Sequence, residues 1–409
     1  MILFEFKPDE FIVEEILCDG TVLEAGKQLS RPNQGGKFAH FVLEKRGWNT
    51  AQALEAIARA MGISRTRMDC AGTKDRNAVT VQLCSAFAVP PERVSSVKLK
   101  DLSINGVWSA GDKVRMGFLA GNRFTITLNE GNYGEKPEAN RVEERARKSN
   151  LLFPNYFGDQ RFGSLRANTA EVGRLILQGK TEEAAMNFLA FTDEREHGAG
   201  REARERLAEE KDFTAALKYF PPFLKYERTV LYQLAQHPRD FVGGLRRLPR
   251  HTLLMFVHAF QSRLFNDLLT TRLKNEPLEA RTGDLWCECD ATGFPDLKEK
   301  GVKPIASQVE AANVQKQLEE GKAFLAANIV GSESDLTQDE TRLLEENGLS
   351  KESFKVKSIP EVTSKGGFRT LSAPLKGFKV LEEKPLKLRF ALPSGAYATV
   401  ALKHLLGRL

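Results

Sequence analysis

The sequence contains few of the side chains from which metal centres are built. Its five cysteines are Cys18, Cys70, Cys84, Cys287 and Cys289, and none forms a Cys-x-x-Cys pair. The six histidines are scattered along the chain, so the spacing of a zinc site is absent. An odd number of cysteines without a regular framework is typical of a reducing compartment. We therefore expect no metal ion and a cytoplasmic location.

The motifs that hold nucleotide cofactors are also missing. No Gly-x-Gly-x-x-Gly follows a predicted strand, and the segment around Gly72-Thr73-Lys74 lacks the order of residues that a phosphate-binding loop requires. There is no Gly-x-Ser-x-Gly nucleophile turn and no helix with the histidine-carboxylate spacing of a metalloprotease. These absences predict an activity without a cofactor, carried by the side chains themselves.

No apolar run approaches the length of a membrane span, and Glu5 lies too near the start for a signal peptide. We therefore expect a soluble intracellular protein that does not bind membranes.

The 409 residues favour two domains, or one domain with a large insertion. The net charge of +6 is mildly basic, which suits a polyanionic partner without requiring one.

Hydrophobic periodicity predicts strands near both ends of the chain and helices in its middle. The predicted strands are Phe4–Ile16, Phe38–Leu43, Phe124–Leu128 and Leu386–Leu392, and the predicted helices are 51–61, 142–151, 253–272 and 397–406. Residues 166–275 and 310–356 read as mostly helical. This distribution suggests a domain made from both termini, with a helical domain inserted into it.

The polar segment Cys70–Gln82 is the strongest candidate for a chemical role. It lies between a helical pattern and an alternating apolar pattern, and it holds Asp75 between Lys74 and Arg76. A lone carboxylate serves as a nucleophile or base without a metal. The same residues also fit a surface turn with solvated charges, so this segment alone does not decide between the two interpretations.

Two further segments have alternative interpretations. Pro154–Gly163 combines aromatic residues with Arg161, which suits either an interdomain corner or the stacking of RNA bases. A loose basic cluster precedes the long predicted helix and is either a phosphate-contacting patch or a solvated surface; its members are Arg239, Arg246, Arg247 and Arg250.

Several blocks of the chain resemble, in the same order, the TruD family of tRNA pseudouridine synthases. The signature block is Ala71–Thr80, with the sequence Ala-Gly-Thr-Lys-Asp-Arg-Asn-Ala-Val-Thr. The other blocks are Pro8–Glu15, Gly121–Phe124, Pro154–Gly163, Gln261–Asn266 and Leu392–Thr399. Each block alone is weakly diagnostic, but together they span nearly the whole chain and the joint pattern is specific.

The resemblance implies a fold and a reaction. The fold is a mixed α/β (α+β) pseudouridine synthase domain around a bent antiparallel sheet, formed by residues 1–151 plus 372–409 and interrupted by an inserted domain, residues 152–371. The reaction is the isomerisation of a uridine in tRNA, usually uridine 13, to pseudouridine without a cofactor. The implied partner is tRNA, and a catalytically inactive tRNA-binding protein of the same fold is the alternative.

The resemblance also implies roles for individual residues. Asp75 matches the catalytic aspartate, and the implied substrate-binding residues are Phe11, Asn122, Phe124 and Tyr397. Relatives often have Phe where this chain has Tyr397, so the aromatic face is kept and a hydroxyl is added. Relatives also often carry a lysine near the position of Glu5. The candidates for the cationic partner of Asp75 are therefore Lys7, the nearest base, and Arg161.

Overall fold

The computed structural model describes residues 4–115, 118–134, 136–163, 165–275, 278–297 and 301–409. The strands in these ranges are β1 (Phe11–Leu17), β2 (Phe38–Arg46), β3 (Met68–Cys70), β4 (Val79–Phe87), β5 (Leu102–Ala110), β6 (Leu119–Leu128), β7 (Leu152–Pro154), β8 (Leu285–Glu288), β9 (Val302–Pro304), β10 (Ala323–Ile329), β11 (Gly367–Thr370), β12 (Ser372–Pro374), β13 (Lys376–Glu383) and β14 (Leu386–Pro393).

The helices in the same ranges are α1 (Thr50–Ala60), α2 (Pro91–Ser95), α3 (Glu130–Tyr133), α4 (Ala139–Lys148), α5 (Thr169–Leu177), α6 (Thr181–Ala190), α7 (Ala199–Glu210), α8 (Phe213–Tyr219), α9 (Lys225–Gln236), α10 (Phe241–Arg246), α11 (Arg250–Asn275), α12 (Gln308–Glu319), α13 (Gln338–Glu346) and α14 (Ala398–Leu405). No helix in the described part of the chain is both long and apolar enough to cross a membrane.

Proximity of Cα atoms divides the chain into two compact units. Unit 1 comprises Met1–Asn155, Cys289–Asp296 and Ser372–Leu409, and unit 2 comprises Tyr156–Glu288 and Leu297–Leu371. The division by function into residues 1–151 plus 372–409 and residues 152–371 stays a prediction. The short segment Cys289–Asp296 groups with unit 1 although it lies within the predicted insertion.

Unit 1 is built on a sheet with the strand order β13-β14-β6-β1-β4-β2-β5, and β3 pairs with β4. Every neighbouring pair in it is antiparallel except β1 and β4, which are parallel. The predicted mixed α/β fold is therefore confirmed. Strand β6 lies between β1 and β14, so its residues have neighbours on both of these strands.

The register of β1 and β6 places several predicted site residues on one face of the sheet. Glu15 lies opposite Asn122, and Val13 lies opposite Phe124. Directly paired residues point to the same face, and successive residues alternate between faces. We call the face that carries Glu15 and Asn122 the site face. Through the pairing of Val13 with Thr80 and of Thr80 with Lys45, it extends across β4 to β2.

Helix α1 packs against the β2 part of the site face. Its buried residues Ala53, Leu54 and Ile57 join a core cluster with Phe41 and Leu43 of β2. The side chain of Asn49 caps the helix by accepting a hydrogen bond from the Gln52 N–H at 2.8 Å. The predicted helix 51–61 is thus confirmed, and Asn49 is its N-terminal cap.

Unit 2 is mainly helical, with the core of its helices formed by residues of α5, α6, α9 and α11 among others. It also contains a sheet with the strand order β11-β10-β8-β9. The helical prediction for 166–275 is confirmed, whereas that for 310–356 is wrong at β10. The alanines of that segment favour a helix locally, but nearly every residue of the strand is buried between β8 and β11, and tertiary packing overrides the propensity.

Candidate active site

Asp75 lies on the loop between β3 and β4, and its side chain is exposed. The loop is held by the Thr50 hydroxyl at the start of α1. That hydroxyl accepts a hydrogen bond from the Lys74 backbone N–H at 2.9 Å and donates one to Gln82 Oε1 at 3.0 Å. Gln82 in turn donates through Nε2 to the Gly72 carbonyl at 3.4 Å. Two elements of the core therefore fix the backbone that presents Asp75.

Beneath this loop lies a buried lysine that sequence reasoning missed. Lys45 of β2 is completely buried, and its Nζ donates to the carbonyl oxygens of Trp48 at 2.6 Å and of Asp75 at 2.7 Å. Burial lowers the pKa of Lys45 to about 8; the negative charge of Asp75 opposes this shift and the positive charge of Lys74 adds to it. A positive charge is thus built in below the Asp75 main chain.

The two candidate cationic partners named from the sequence have other surroundings. Lys7 is exposed, and it forms no ion pair with Asp75 among the described residues of unit 1. Arg161 belongs to unit 2, where its Nε donates to Ser262 Oγ at 3.1 Å and its guanidinium lies 5.9 Å from the centre of the Phe157 ring. Within unit 1, Lys45 contacts Asp75 through the main-chain carbonyl oxygen of that residue. Lys45 has no sequence signal of its own, because a single lysine near the end of a strand is usually solvated.

Asn122 is connected to the Asp75 loop through Lys74. Lys74 Nζ donates to Asn122 Oδ1 at 2.6 Å and lies 3.1 Å from Glu15 Oε1. The Glu15 side chain is completely buried, and its Oε2 accepts a hydrogen bond from the Leu83 backbone N–H at 2.7 Å. Burial raises the pKa of Glu15, although the charge of Lys74 and these hydrogen bonds act against the rise. The sequence showed Lys74 as a neighbour of Asp75 but gave no sign that Glu15 is its partner.

Phe11 and Phe124 are parts of a row of aromatic rings. Their ring centres lie 5.9 Å apart, Phe6 stacks on Phe11 at 5.0 Å, and Phe390 lies 6.0 Å from Phe124. Phe11 and Phe124 are each only 7% exposed. The row therefore makes this part of the site face apolar. Only a small part of either predicted substrate-binding ring is exposed to solvent.

Tyr397 lies directly before α14, in the turn that follows β14, and it is partly exposed. The same turn is joined to the start of β6, since the Ser394 N–H donates to the Ala120 carbonyl at 3.0 Å. The fold thus places Phe11, Asn122 and Phe124 on the site face of two adjacent strands. It ties Asp75 to Asn122 through Lys74, and it brings the turn that carries Tyr397 next to the Asn122 strand.

This arrangement offers an exposed carboxylate on a fixed loop, a half-exposed amide and an apolar backing. Such a set of groups suits nucleophilic or proton-transfer chemistry by a carboxylate, next to a surface that holds a flat, polar-edged ring. No three His, Cys, Asp or Glu side chains of the described residues cluster closely enough to hold a metal ion.

Comparison with known proteins gave concordant results. Residues 4–405 match the family model described as tRNA pseudouridine synthase D (TruD). Among curated proteins, two that bear the name "Probable tRNA pseudouridine synthase D" are similar to this chain. The protein of Methanococcoides burtonii is 34% identical over 385 residues, which are 90% of this chain and 87% of that protein. The protein of Pyrococcus furiosus is 34% identical over 406 residues, 98% of this chain and 94% of that protein.

Among solved structures, a crystal structure of the TruD protein from Methanosarcina mazei is similar to this chain. Its TM-score is 0.77 at 30% sequence identity, and the match covers 99% of this chain and 93% of that one.

Proposed function

This chain belongs to the tRNA pseudouridine synthase D family, and from that premise we propose that it isomerises uridine 13 of tRNA to pseudouridine with Asp75 as the reacting carboxylate. The observation that carries the assignment of Asp75 is its loop. The loop presents the carboxylate to solvent while Lys45 and Thr50 hold its backbone, and Lys74 links it to Asn122.

The reaction rearranges bonds within one nucleotide. The bond between ribose C1′ and uracil N1 breaks, the uracil rotates, and a new bond joins C1′ to C5. The proton of C5 is lost and N1 gains one, so no oxidant, reductant or co-reactant is needed. Asp75 either attacks C1′ or removes a ribose proton to give a glycal; both routes need an ionised carboxylate.

The detached uracil must be held while it turns. We assign this task to Asn122 and Tyr397 with the edges of Phe11 and Phe124, because aromatic and apolar surfaces retain a base by stacking, at about 1–3 kcal/mol per base. The target nucleotide has to leave its stack to reach these groups. Unit 1 is then the catalytic domain in the cytoplasmic enzyme, and unit 2, the inserted domain, grips the tRNA.

The test is a reaction of the purified protein with an unmodified tRNA transcript in the absence of any added nucleotide or cofactor. Pseudouridine is mapped along the product, and we expect it at position 13. Pseudouridine at another uridine would overturn the choice of position but not the activity. A protein that binds the tRNA and never modifies it would instead be the inactive tRNA-binding alternative.

A further inference from the structure

We propose that Lys74 and Glu15 fix the orientation of Asn122 so that its amide NH2 group donates a hydrogen bond to a carbonyl oxygen of the target uracil. This inference rests on the proposed function and adds to it the contact by which the base is recognised. Asn122 is the residue that touches the substrate, whereas Lys74 and Glu15 act through it as positioning residues.

The orientation of the amide follows from the chemistry of its partner. An ammonium group has three donors and no acceptor, so the Asn122 atom 2.6 Å from Lys74 Nζ must be the amide oxygen. The two ends of an amide are otherwise hard to tell apart, and here the lysine removes the ambiguity. The NH2 group consequently points away from Lys74.

Lys74 is itself held in place from below. Its side chain is only 10% exposed, and its Nζ lies 3.1 Å from a carboxylate oxygen of Glu15, whose side chain is 0% exposed. The Leu83 backbone N–H fixes the other Glu15 oxygen at 2.7 Å. Removing Lys74 would leave a buried carboxylate without its counter-charge, which is a strong reason for the ammonium to stay. The relay therefore runs from β4 through Glu15 and Lys74 to Asn122.

Among the described residues, the Asn122 NH2 group makes no hydrogen bond, so both of its donors remain for a ligand of the site face. Asn122 is partly exposed and lies two residues from Phe124 on the site face, and Lys74 directly precedes Asp75 in the loop. Uracil presents two carbonyl oxygens and one N–H group. An NH2 group pairs with a carbonyl, whereas a flipped amide would offer its oxygen to the N–H. The relay thus selects which group of the base Asn122 binds. If the bound group is the carbonyl that cytosine replaces by an amino group, the NH2 group of Asn122 disfavours cytosine, because two donors then face each other.

The test uses tRNA in which the target uridine is replaced by 2-thiouridine or 4-thiouridine, since sulfur is a weaker acceptor than oxygen. Single-turnover rates of pseudouridine formation are compared with those for uridine. In the wild type, one of the two thio substitutions should slow the reaction by a certain factor, and in Asn122→Ala by a smaller one. We expect the two factors to differ about tenfold, which corresponds to the loss of one good hydrogen bond. In Lys74→Met the extra discrimination should shrink several-fold, because the amide is free to turn.

Arg76→Met is the matched control, because it removes a positive charge from the same loop outside the relay. It should keep the wild-type ratio of uridine to thiouridine rates, whatever its absolute rate. If Lys74→Met unfolds because Glu15 is left unpaired, the double variant Lys74→Met with Glu15→Gln removes both charges and gives the same readout. A merely structural role of Lys74 would lower all rates without changing the ratio.

Two results would overturn the inference while leaving the activity intact. In the first, the wild type discriminates against both thio analogues no more than Asn122→Ala does. In the second, every Lys74 variant that folds has the wild-type ratio of uridine to thiouridine rates. If the wild type makes no pseudouridine from ordinary uridine, the proposed function itself fails and this contact fails with it. The uridine reaction therefore separates the two cases.

Discussion

At the scale of the residue, Lys45 shows how a buried charge serves a loop. Its Nζ lies 2.6 Å from the carbonyl oxygen of Trp48 and 2.7 Å from that of Asp75, so it joins the loop after β2 to the loop before β4. Burying an ammonium is costly unless hydrogen bonds compensate for lost water. The buried ammonium lies below the loop of the proposed reacting carboxylate, where a fixed positive charge is useful.

We expect Lys45→Met to lower the single-turnover rate of pseudouridine formation by about 10- to 100-fold, since the Asp75 loop loses one hydrogen bond from a charged donor, worth roughly 1.5–3 kcal/mol. The affinity for tRNA should change little because the side chain is completely buried. Lys27→Met is the control, as Lys27 is an exposed lysine of the same unit. An unchanged rate in Lys45→Met would show that the buried charge has no part in the reaction.

The lowered pKa of Lys45 also predicts how stability depends on pH. Between pH 8 and 10.5 the unfolded lysine still binds a proton that the folded one has released, so the free energy of unfolding rises with pH across this range. Relative to Lys45→Met, the gain between pH 7.5 and pH 10 should be on the order of 2 kcal/mol. Asp75, Lys74 and Cys84 surround the ammonium and are present in both proteins. Denaturant unfolding of the wild type and of Lys45→Met at pH 7.5 and pH 10 measures this gain. If the difference between their free energies of unfolding is the same at both pH values, the prediction is refuted.

At the scale of the element, the start of α1 has two separate tasks. Asn49 caps the helix, which leaves the Thr50 hydroxyl free to accept from Lys74 and to donate to Gln82. The helix and its cap were predictable because capping is local and leaves a sequence signature. The Thr50 bonds were not, since they join residues 24 and 32 positions apart.

We therefore expect Thr50→Val, which keeps the shape and removes the hydroxyl, to lower the free energy of unfolding by about 1–3 kcal/mol. It should also slow pseudouridine formation, because the Asp75 loop loses an anchor. Thr50→Ser retains the hydroxyl and serves as the control, with a smaller loss on both measures. Equal losses in the two variants would mean that packing of the threonine methyl group, rather than the hydrogen bonds, matters at this position.

The same contrast explains what the sequence could predict of the site. The Asp75 loop and the strands that carry Phe11, Asn122 and Phe124 follow from local patterns and from family blocks. The role of Lys45 and the pairing of Glu15 with Lys74 do not, because a charged residue in a strand is solvated in most sequences and only the sheet register reveals its burial. Strand β10 was missed for a related reason: its alanines favour a helix locally, and only burial between β8 and β11 makes the segment a strand.

At the scale of the whole molecule, the charge of +6 favours a polyanionic partner but does not locate the contact. The basic cluster noted in the sequence is largely committed within unit 2. Arg246 pairs with Glu361, Arg247 donates to Gln233 at 3.0 Å, and Arg250 donates to the Glu361 carbonyl at 3.4 Å. These bonds restrict the geometry with which the three arginines can meet phosphates.

Binding of tRNA should weaken as salt is raised, because phosphate contacts release counterions. A plot of the logarithm of the association constant against the logarithm of salt concentration should be a line of negative slope. Asp75→Asn should give the same slope, since a carboxylate makes no favourable phosphate contact. An affinity independent of salt would contradict recognition through the tRNA backbone.

The most direct test of the central claim is pseudouridine formation by Asp75→Asn on a tRNA transcript that the wild type modifies. The substitution is nearly isosteric and removes the charge of a side chain that is exposed on the loop. We predict no product above background, with tRNA affinity and thermal stability close to those of the wild type. Pseudouridine made by Asp75→Asn at a rate near that of the wild type would show that another group performs the reaction.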